Sequence, residues 1–386
     1  MQTTPGVAVV GAYNTRQARR LLGESSHSVT DDAIRGAVAD AGIGLSEVDG
    51  FTVIPAAPTG DVSAESKTWA YRLGVERFWY GAHANGLIAV SEAASAIREG
   101  LCRIAVIASG QAGEYVDGAA TAPWTRPSNE WVEWCGQFTA TEFALVARRH
   151  MHLFGTTPEQ LATVSATIRN NGHRNPAAVY SGRGPFTPED ILASRMIADP
   201  FHLLDCAMTA EGGSAVVLAA ADRAKDLRWP GCYLLASAVE SCGPGYCYPP
   251  IYELTGQLGA TAANRAFKRA QVDPGDVQAC EFYDPFSFEV IRQFEAFGFC
   301  DEGDGGPFVT SGVIGPGQRH PICTDGGTMS YSHAGTAQML QRVVQATHQV
   351  RGTAVNQVDR CRLALASSSG SGAMNHAMML LGDAPS

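Results

Sequence analysis

Short runs of β-branched residues alternate with Ala-rich stretches of helical spacing from the N-terminus onward. The pattern predicts a strand over Gly6–Gly11, a helix over Thr30–Ala41, a strand over Gly50–Ile54, a helix over Asn85–Glu99 and a strand over Ile104–Ser109. Strands that alternate with helices argue for a parallel sheet covered by helices. Between about Gln111 and Arg195 the alternation stops, and Trp124, Trp131, Trp134, several prolines and mixed helical spacing suggest an inserted loop domain. A strand over Ser214–Ala219 closes the first half.

The second half repeats the first. Ala41-Gly-Ile-Gly-Leu-Ser-Glu-Val48-Asp-Gly-Phe-Thr-Val53 lies on Ala270-Gln-Val-Asp-Pro-Gly-Asp-Val277-Gln-Ala-Cys-Glu-Phe282 without a gap, and upstream Ala33 and Ala37 fall on Ala262 and Ala266. His83-Ala84 and His333-Ala334 each open a long helix that leads to a strand, Ile104–Ser109 and Leu363–Ser367. An internal duplication is the simple reading. It divides the chain into an N-terminal half, 1–225, with the loop domain at about 111–200, and a C-terminal half, 226–386. Such a body tends to hold its ligand where the halves meet, beyond the carboxyl ends of the strands. Gly81–Gly86, Tyr283–Phe286, Gly326–Gly335 and Ser367–Gly372 occupy those places.

Composition narrows the function. Over 386 residues, 45% are hydrophobic and 17% charged, which suits a large core. Lys+Arg 28 against Asp+Glu 38 leaves a net charge of −10, which disfavours nucleic acid as a partner. Arg148, Arg149, Arg169, Arg174 and Arg183 fall in one mid-chain region and make either a basic patch for a phosphorylated cofactor or a solvated surface. No apolar run approaches the roughly 18 residues of a membrane span, and Val7–Val10 lacks the basic flank of a signal peptide. The ten cysteines form no CxxC pair, which argues against a zinc or redox site and for reduced core thiols in a cytoplasmic protein. Asp301-Glu-Gly-Asp-Gly-Gly fails as a calcium loop, because Gly312 stands where the closing glutamate belongs.

Several motifs, in order along the chain, resemble the thiolase superfamily, and within it the sterol-carrier-protein-type thiolases and the lipid-transfer-protein-like steroid side-chain aldolases. They are Gly155-Thr-Thr-Pro-Glu-Gln-Leu-Ala162, Asn175-Pro, Ile197-Ala-Asp-Pro-Phe201, Asp205-Cys and Glu211-Gly-Gly-Ser-Ala-Val-Val-Leu218. Glu281-Phe-Tyr-Asp-Pro-Phe286, Gly305-Gly-Pro-Phe-Val309 and Asp325-Gly-Gly-Thr-Met-Ser-Tyr-Ser-His333 continue the match. The resemblance implies the thiolase fold: five layers, α-β-α-β-α, made of two duplicated α/β halves with the loop domain inserted in the first.

The departures from that family carry the chemistry. Its nucleophilic cysteine sits in a Cys-Ala-Ser-Gly-like turn at the N-terminus of a buried helix, where the dipole lowers a thiol's pKa. Here the turn reads His83-Ala84-Asn85-Gly86. The second active cysteine, in a Cys-Gly-Gly-Gly-like loop, corresponds to Ser367-Ser-Ser-Gly370. At the third position Tyr283-Asp-Pro-Phe286 resembles the Tyr-Asp-Ala-Phe motif of the aldolases, while His333 is closer to true thiolases.

These residues suit a retro-aldol cleavage of a β-hydroxyacyl-CoA thioester, which needs acid/base groups and no covalent nucleophile. The expected catalytic residues are Tyr283 for the hydroxyl proton, His333 as its acid/base partner, and either His83 or the helix N–H groups near Asn85 for the thioester oxygen. Asn85, Asp284, Tyr331, Ser367 and Gly370 are expected to form the oxyanion hole and position the substrate. No covalently bound cofactor or metal is expected, and coenzyme A enters as the thioester substrate. Two alternatives remain: a Claisen-type acyltransferase using another cysteine, with Cys323 the stand-in, and a non-catalytic acyl-CoA or lipid carrier. The resemblance also implies a homodimer flanked by two small zinc and OB-fold partners of the DUF35 type, a heterotetramer. Trp124, Trp131, Trp134 and Phe138 either line an acyl channel or form the loop domain's own core.

Overall fold

A computed structural model describes residues 6–55, 65–83, 85–113, 139–229, 231–243, 250–370 and 374–385. In the first part of the chain β1 (Val7–Asn14), α1 (Ser26–Ala41), β2 (Gly50–Ile54), α2 (Ser66–Arg72), β3 (Trp79–Tyr80), α3 (Gly86–Arg98) and β4 (Ile104–Gln111) follow one another. Next come α4 (Thr139–Phe154), α5 (Pro158–Arg174), α6 (Pro188–Ala193), β5 (Met196–Ala198), β6 (Phe201–His202), β7 (Gly212–Ala220) and α7 (Ala221–Ala224). The remainder holds β8 (Cys232–Ser241), α8 (Tyr252–Thr255), α9 (Ala260–Ala270), β9 (Ala279–Glu281), α10 (Ser287–Ala296), α11 (Gly305–Thr310), α12 (Ala337–Arg351), β10 (Leu363–Gly370) and β11 (Asn375–Gly382).

Nine strands form one sheet in the order β3-β2-β4-β7-β1-β8-β11-β10-β9. The sheet is mixed, whereas the sequence pattern predicts a parallel one. Parallel pairing holds for β2 with β3 and β4 and for β9 with β10, while β7 runs antiparallel to both β4 and β1. The reason is the connection: β7 is reached only after the excursion through α4 to α6, so no single right-handed crossover fixes its direction.

The halves join where β1 meets β8 through Ala8↔Tyr233 and Val9↔Cys232. Alternate residues of both halves, among them Ala105, Ile107, Val216 and Leu218 on one side and Ala364, Ala366, Ala377 and Met379 on the other, bury themselves against α3 and α12. The opposite face of the N-terminal strands packs on α1, and that of the C-terminal strands on α9 and α10. The two halves of this one sheet therefore enclose α3 and α12, and a line through the molecule crosses helix, half-sheet, helix, half-sheet and helix. Small residues let these layers approach: α1 turns Ala33, Ala37 and Ala41 inward, and a Cβ on Gly11 of β1 would stand 2.1 Å from the carbonyl oxygen of Ala37.

The ungapped correspondence in the sequence has a structural counterpart. From α1, ending at Ala41, the chain passes through a turn at Leu45–Glu47 into β2 at Gly50; from α9, ending at Ala270, it passes through a turn at Pro274–Asp276 into β9 at Ala279.

Candidate active site

The site lies where α3 and α12 begin. Asn85 caps α3: its Oδ1 accepts from the backbone N–H of Leu87 at 3.0 Å and of Ile88 at 3.3 Å. The same oxygen accepts from the Ser368 hydroxyl of β10 at 3.0 Å, so the cap ties the halves together and leaves the amide nitrogen as the side chain's donor. The backbone N–H of Asn85 donates to Nδ1 of the half-buried His83 at 3.0 Å. Nδ1 is thus an acceptor, which puts the proton of the neutral ring on Nε2.

Tyr283 follows β9 at the edge of β10. Its backbone N–H donates to Ser367 Oγ at 2.9 Å, and its carbonyl accepts from Gln293 Nε2 at 2.8 Å. The Ser367 hydroxyl in turn donates to Gln293 Oε1. Ser367 therefore holds the Tyr283 backbone on one face of β10 while Ser368 holds the α3 cap on the other. Gly370 ends the strand, its carbonyl accepting from Met374 N–H at 3.0 Å.

The loop before α12 is pinned from several sides. Asp284 Oδ1 accepts from Thr328 N–H at 2.7 Å and Oδ2 from Met329 N–H at 3.1 Å. Burial raises this carboxyl to about 6 against the pull of Arg342 and those amides. Gly327, at φ 59°, has to be glycine, because a Cβ there would stand 2.1 Å from Asp284 Oδ2. Buried Arg342 of α12 grips Asp325 in two bonds of 3.0 and 2.9 Å, and Asp325 Oδ1 also accepts from Gly327 N–H at 2.8 Å. Arg169 of α5 donates to the Met329 carbonyl at 3.0 Å, and Ser332 Oγ donates to Gln17 Oε1 at 2.8 Å.

At the end of this loop burial lowers His333 to about 4, so its imidazole is neutral at pH 7. Burial, with Asp325 adding to it, raises Tyr331, whose hydroxyl bonds Asn14. The structure thus ties His83, Asn85 and Ser368 together by hydrogen bonds on one face of β10 and Ser367, Gln293 and Tyr283 on the other, and fastens the Tyr283 loop to the His333 loop through Asp284. Both oxygens of Asp284 are occupied by backbone amides.

Of the residues that hold the site together, Gln293, Arg342 and Gln17 lie outside the sequence motifs, and Asp325, Ser368 and Arg169 lie in stretches the sequence singles out without showing this holding role. One signal is available: Arg342 shares a buried polar face of α12 with Gln338, Gln345 and Gln349, away from Leu340, Val343 and Val344. The mid-chain arginines do not all face solvent. Arg169 is buried and donates to the carbonyls of Leu204, Cys206 and Met329, whereas Arg148 and Arg149 make separate surface pairs with Asp199 and Glu253. Cys323 is fully buried, its thiol donating to the Phe282 carbonyl at 3.3 Å, and burial beside Asp284 raises it well above the usual range. Trp124, Trp131, Trp134 and Phe138 lie outside the described residues.

Comparison with known proteins fits this geometry. Residues 252–383 match the thiolase C-terminal domain-like family. A steroid side-chain-cleaving aldolase of Thermomonospora curvata is 30% identical, over 92% of this chain and 93% of its own. The 17-hydroxy-3-oxo-4-pregnene-20-carboxyl-CoA lyase of Mycobacterium tuberculosis is 32% identical, over 91% and 93%. An acetyl-CoA acetyltransferase of Methanothermobacter thermautotrophicus is 30% identical over 90% and 91%, so overall identity does not by itself separate lyase from transferase. Among solved structures, an Ltp2-ChsH2(DUF35) aldolase superposes with a TM-score of 0.85 at 27% identity, covering 98% of each chain. This chain belongs to the thiolase superfamily, in its branch of steroid side-chain-cleaving aldolases and acyl-CoA lyases.

Proposed function

We propose that the protein cleaves a β-hydroxyacyl-CoA thioester by a retro-aldol reaction, releasing a carbonyl compound and a shortened acyl-CoA. The observation that carries this reading is the start of α3: an imidazole bonded to the Asn85 N–H stands there, and the sulfur of Cys323 is locked in the core. Acyl transfer needs an accessible thiolate, whereas retro-aldol cleavage needs a base, an oxyanion site and a returned proton.

In this scheme Tyr283, as the phenolate, takes the β-hydroxyl proton while the Cα–Cβ bond breaks and its electrons move into a thioester enolate. The same proton then returns to Cα, so no proton is gained or lost. An ordinary phenol titrates near about 10, so the phenolate requires a neighbouring positive charge or donor. The enolate oxygen is met by neutral donors, His83 through Nε2–H and Asn85 through its amide, with His333 as the partner that moves protons at Cα. Asp284, Ser367 and Gly370 shape the loops around these groups, and Tyr331 lines the same loop.

A steroid side chain is the substrate class of the related aldolase and lyase, and we extend it to this chain. The Ltp2-ChsH2(DUF35) aldolase structure supports a DUF35-type partner; to this we add a homodimer flanked by two such partners in the cytoplasm. Incubation with a β-hydroxyacyl-CoA and such a partner, followed by mass spectrometry, tests the reading. A carbonyl product with a shortened acyl-CoA supports it. A protein-bound acyl group instead indicates cysteine chemistry, and unaltered bound ligand a carrier.

A further inference from the structure

Two buried polar atoms without hydrogen-bond partners lie on the same face of the sheet beside this site. Ser369 and His376 are direct partners across the antiparallel pair β10 and β11, so their side chains share a face with Cβ atoms about 5 Å apart. Ser369 Oγ and His376 Nδ1 are both buried, and neither has a hydrogen-bond partner. His376 is 1% exposed, and its Nε2 lies 3.1 Å from Glu289 Oε1 of α10. Glu289 is held ionised by Arg292, which donates to it at 2.8 and 2.7 Å and to the carbonyls of Thr255, Gly256 and Leu258.

That arrangement fixes the tautomer. An ionised carboxylate accepts only, so His376 carries its proton on Nε2 and leaves its Nδ1 lone pair unsatisfied on the face it shares with Ser369. Burial and Arg292 lower His376 to about 4, against the opposing pull of Glu289 and of Glu240 on β8, so the ring stays neutral. The edge of the Phe297 ring and the Gly259 backbone close off the remaining sides. Leaving both atoms unsatisfied forfeits the hydration each would have in water. One hydrogen bond from the Ser369 hydroxyl to Nδ1, direct or through a single water, removes both penalties.

Ser369 stands two residues beyond Ser367 on the same face of β10, where pairing with β9 has already ended at Ala366 and the Tyr283 loop takes over the edge. We infer that Ser369 and His376 are positioning residues for the reaction: the Glu289 carboxylate, the His376 imidazole and the Ser369 hydroxyl form a line that points the hydroxyl's lone pairs at the hydroxyl group Tyr283 handles. The inference rests on the role proposed for Tyr283.

Two measurements test it. With a β-hydroxyacyl-CoA, Ser369→Ala lowers kcat about 10-fold or more and changes the pH profile, leaves KM within about twofold and lowers Tm modestly because Nδ1 loses its donor, while Ser369→Thr restores the rate. Unchanged kcat and pH profile in Ser369→Ala overturn the inference. In protein labelled with 15N-histidine, His376 is the Nε2–H tautomer at pH 7, and its Nδ1 resonance shifts in Ser369→Ala; an unmoved resonance also overturns it. The spectrum requires no turnover, so absence of cleavage by the parent protein counts against the lyase reading alone.

Discussion

A Cβ placed on Gly86 would stand 3.1 Å from the Cγ of Leu340, closer than such contacts normally come. The first turn of α3 therefore rests directly on α12, and the positive ends of two buried helices lie side by side at the site. Their spacing depends on the missing side chain. Gly86→Val forces the helices apart at this contact, and overpacking of this kind costs about 1–3 kcal/mol. The expected result is a lower Tm in thermal unfolding together with a fall in kcat/KM. Unchanged Tm would mean that the α12 side chains give way freely.

Tyr283 and Cys323 separate the two chemistries. Removing the phenolic oxygen in Tyr283→Phe keeps the ring and the backbone bonds to Ser367 and Gln293, so the loop remains in place. Turnover of a β-hydroxyacyl-CoA is expected to drop by about 100-fold or more. Cys323→Ala removes a buried thiol that serves only packing and one weak hydrogen bond, so turnover persists with a modest loss of stability. The reverse pattern, measured by product release, discards the aldol scheme.

Much of the fold is legible in the chain because it is local. The inward alanines of α1 and the ungapped match of Ala41–Val53 with Ala270–Phe282 follow from helical spacing and turn residues. The direction of β7 is not local, since it depends on how α4 to α6 return the chain. The site divides in the same way. Helix starts place His83 and His333, but Ser332 bonds Gln17 across 315 positions, and periodicity carries no trace of such a contact. Cys323 shows the other limit: beside Gly326-Gly327 it looks like a replacement nucleophile, and only its burial reveals a core thiol.

His333 sets a pH dependence. Its imidazole is lowered by burial from 6.5 to about 4, so between these values the unfolded chain binds the proton more readily than the folded one. Stability from this group is complete above 6.5 and is lost as the pH falls toward 4. His333→Asn is expected to flatten that part of the curve of unfolding free energy against pH. An NMR titration places the His333 midpoint well below an ordinary histidine; a midpoint near 6.5 would instead leave it substantially charged in mildly acid solution.

Asn85 allows the cap to be separated from the chemistry. Its Oδ1 serves Leu87, Ile88 and Ser368, and an aspartate in its place offers the same oxygen with a charge that suits a helix N-terminus. Asn85→Asp is therefore expected to keep or raise Tm. What it loses is the amide donor, and it sets a negative charge where the thioester oxygen becomes an enolate. Loss of one such donor elsewhere costs about 100- to 1,000-fold in kcat, and a fall of that order is expected here. Because folding is preserved, steady-state kinetics beside a melting curve decides the matter: full activity with an aspartate at this position would place the oxyanion away from the start of α3.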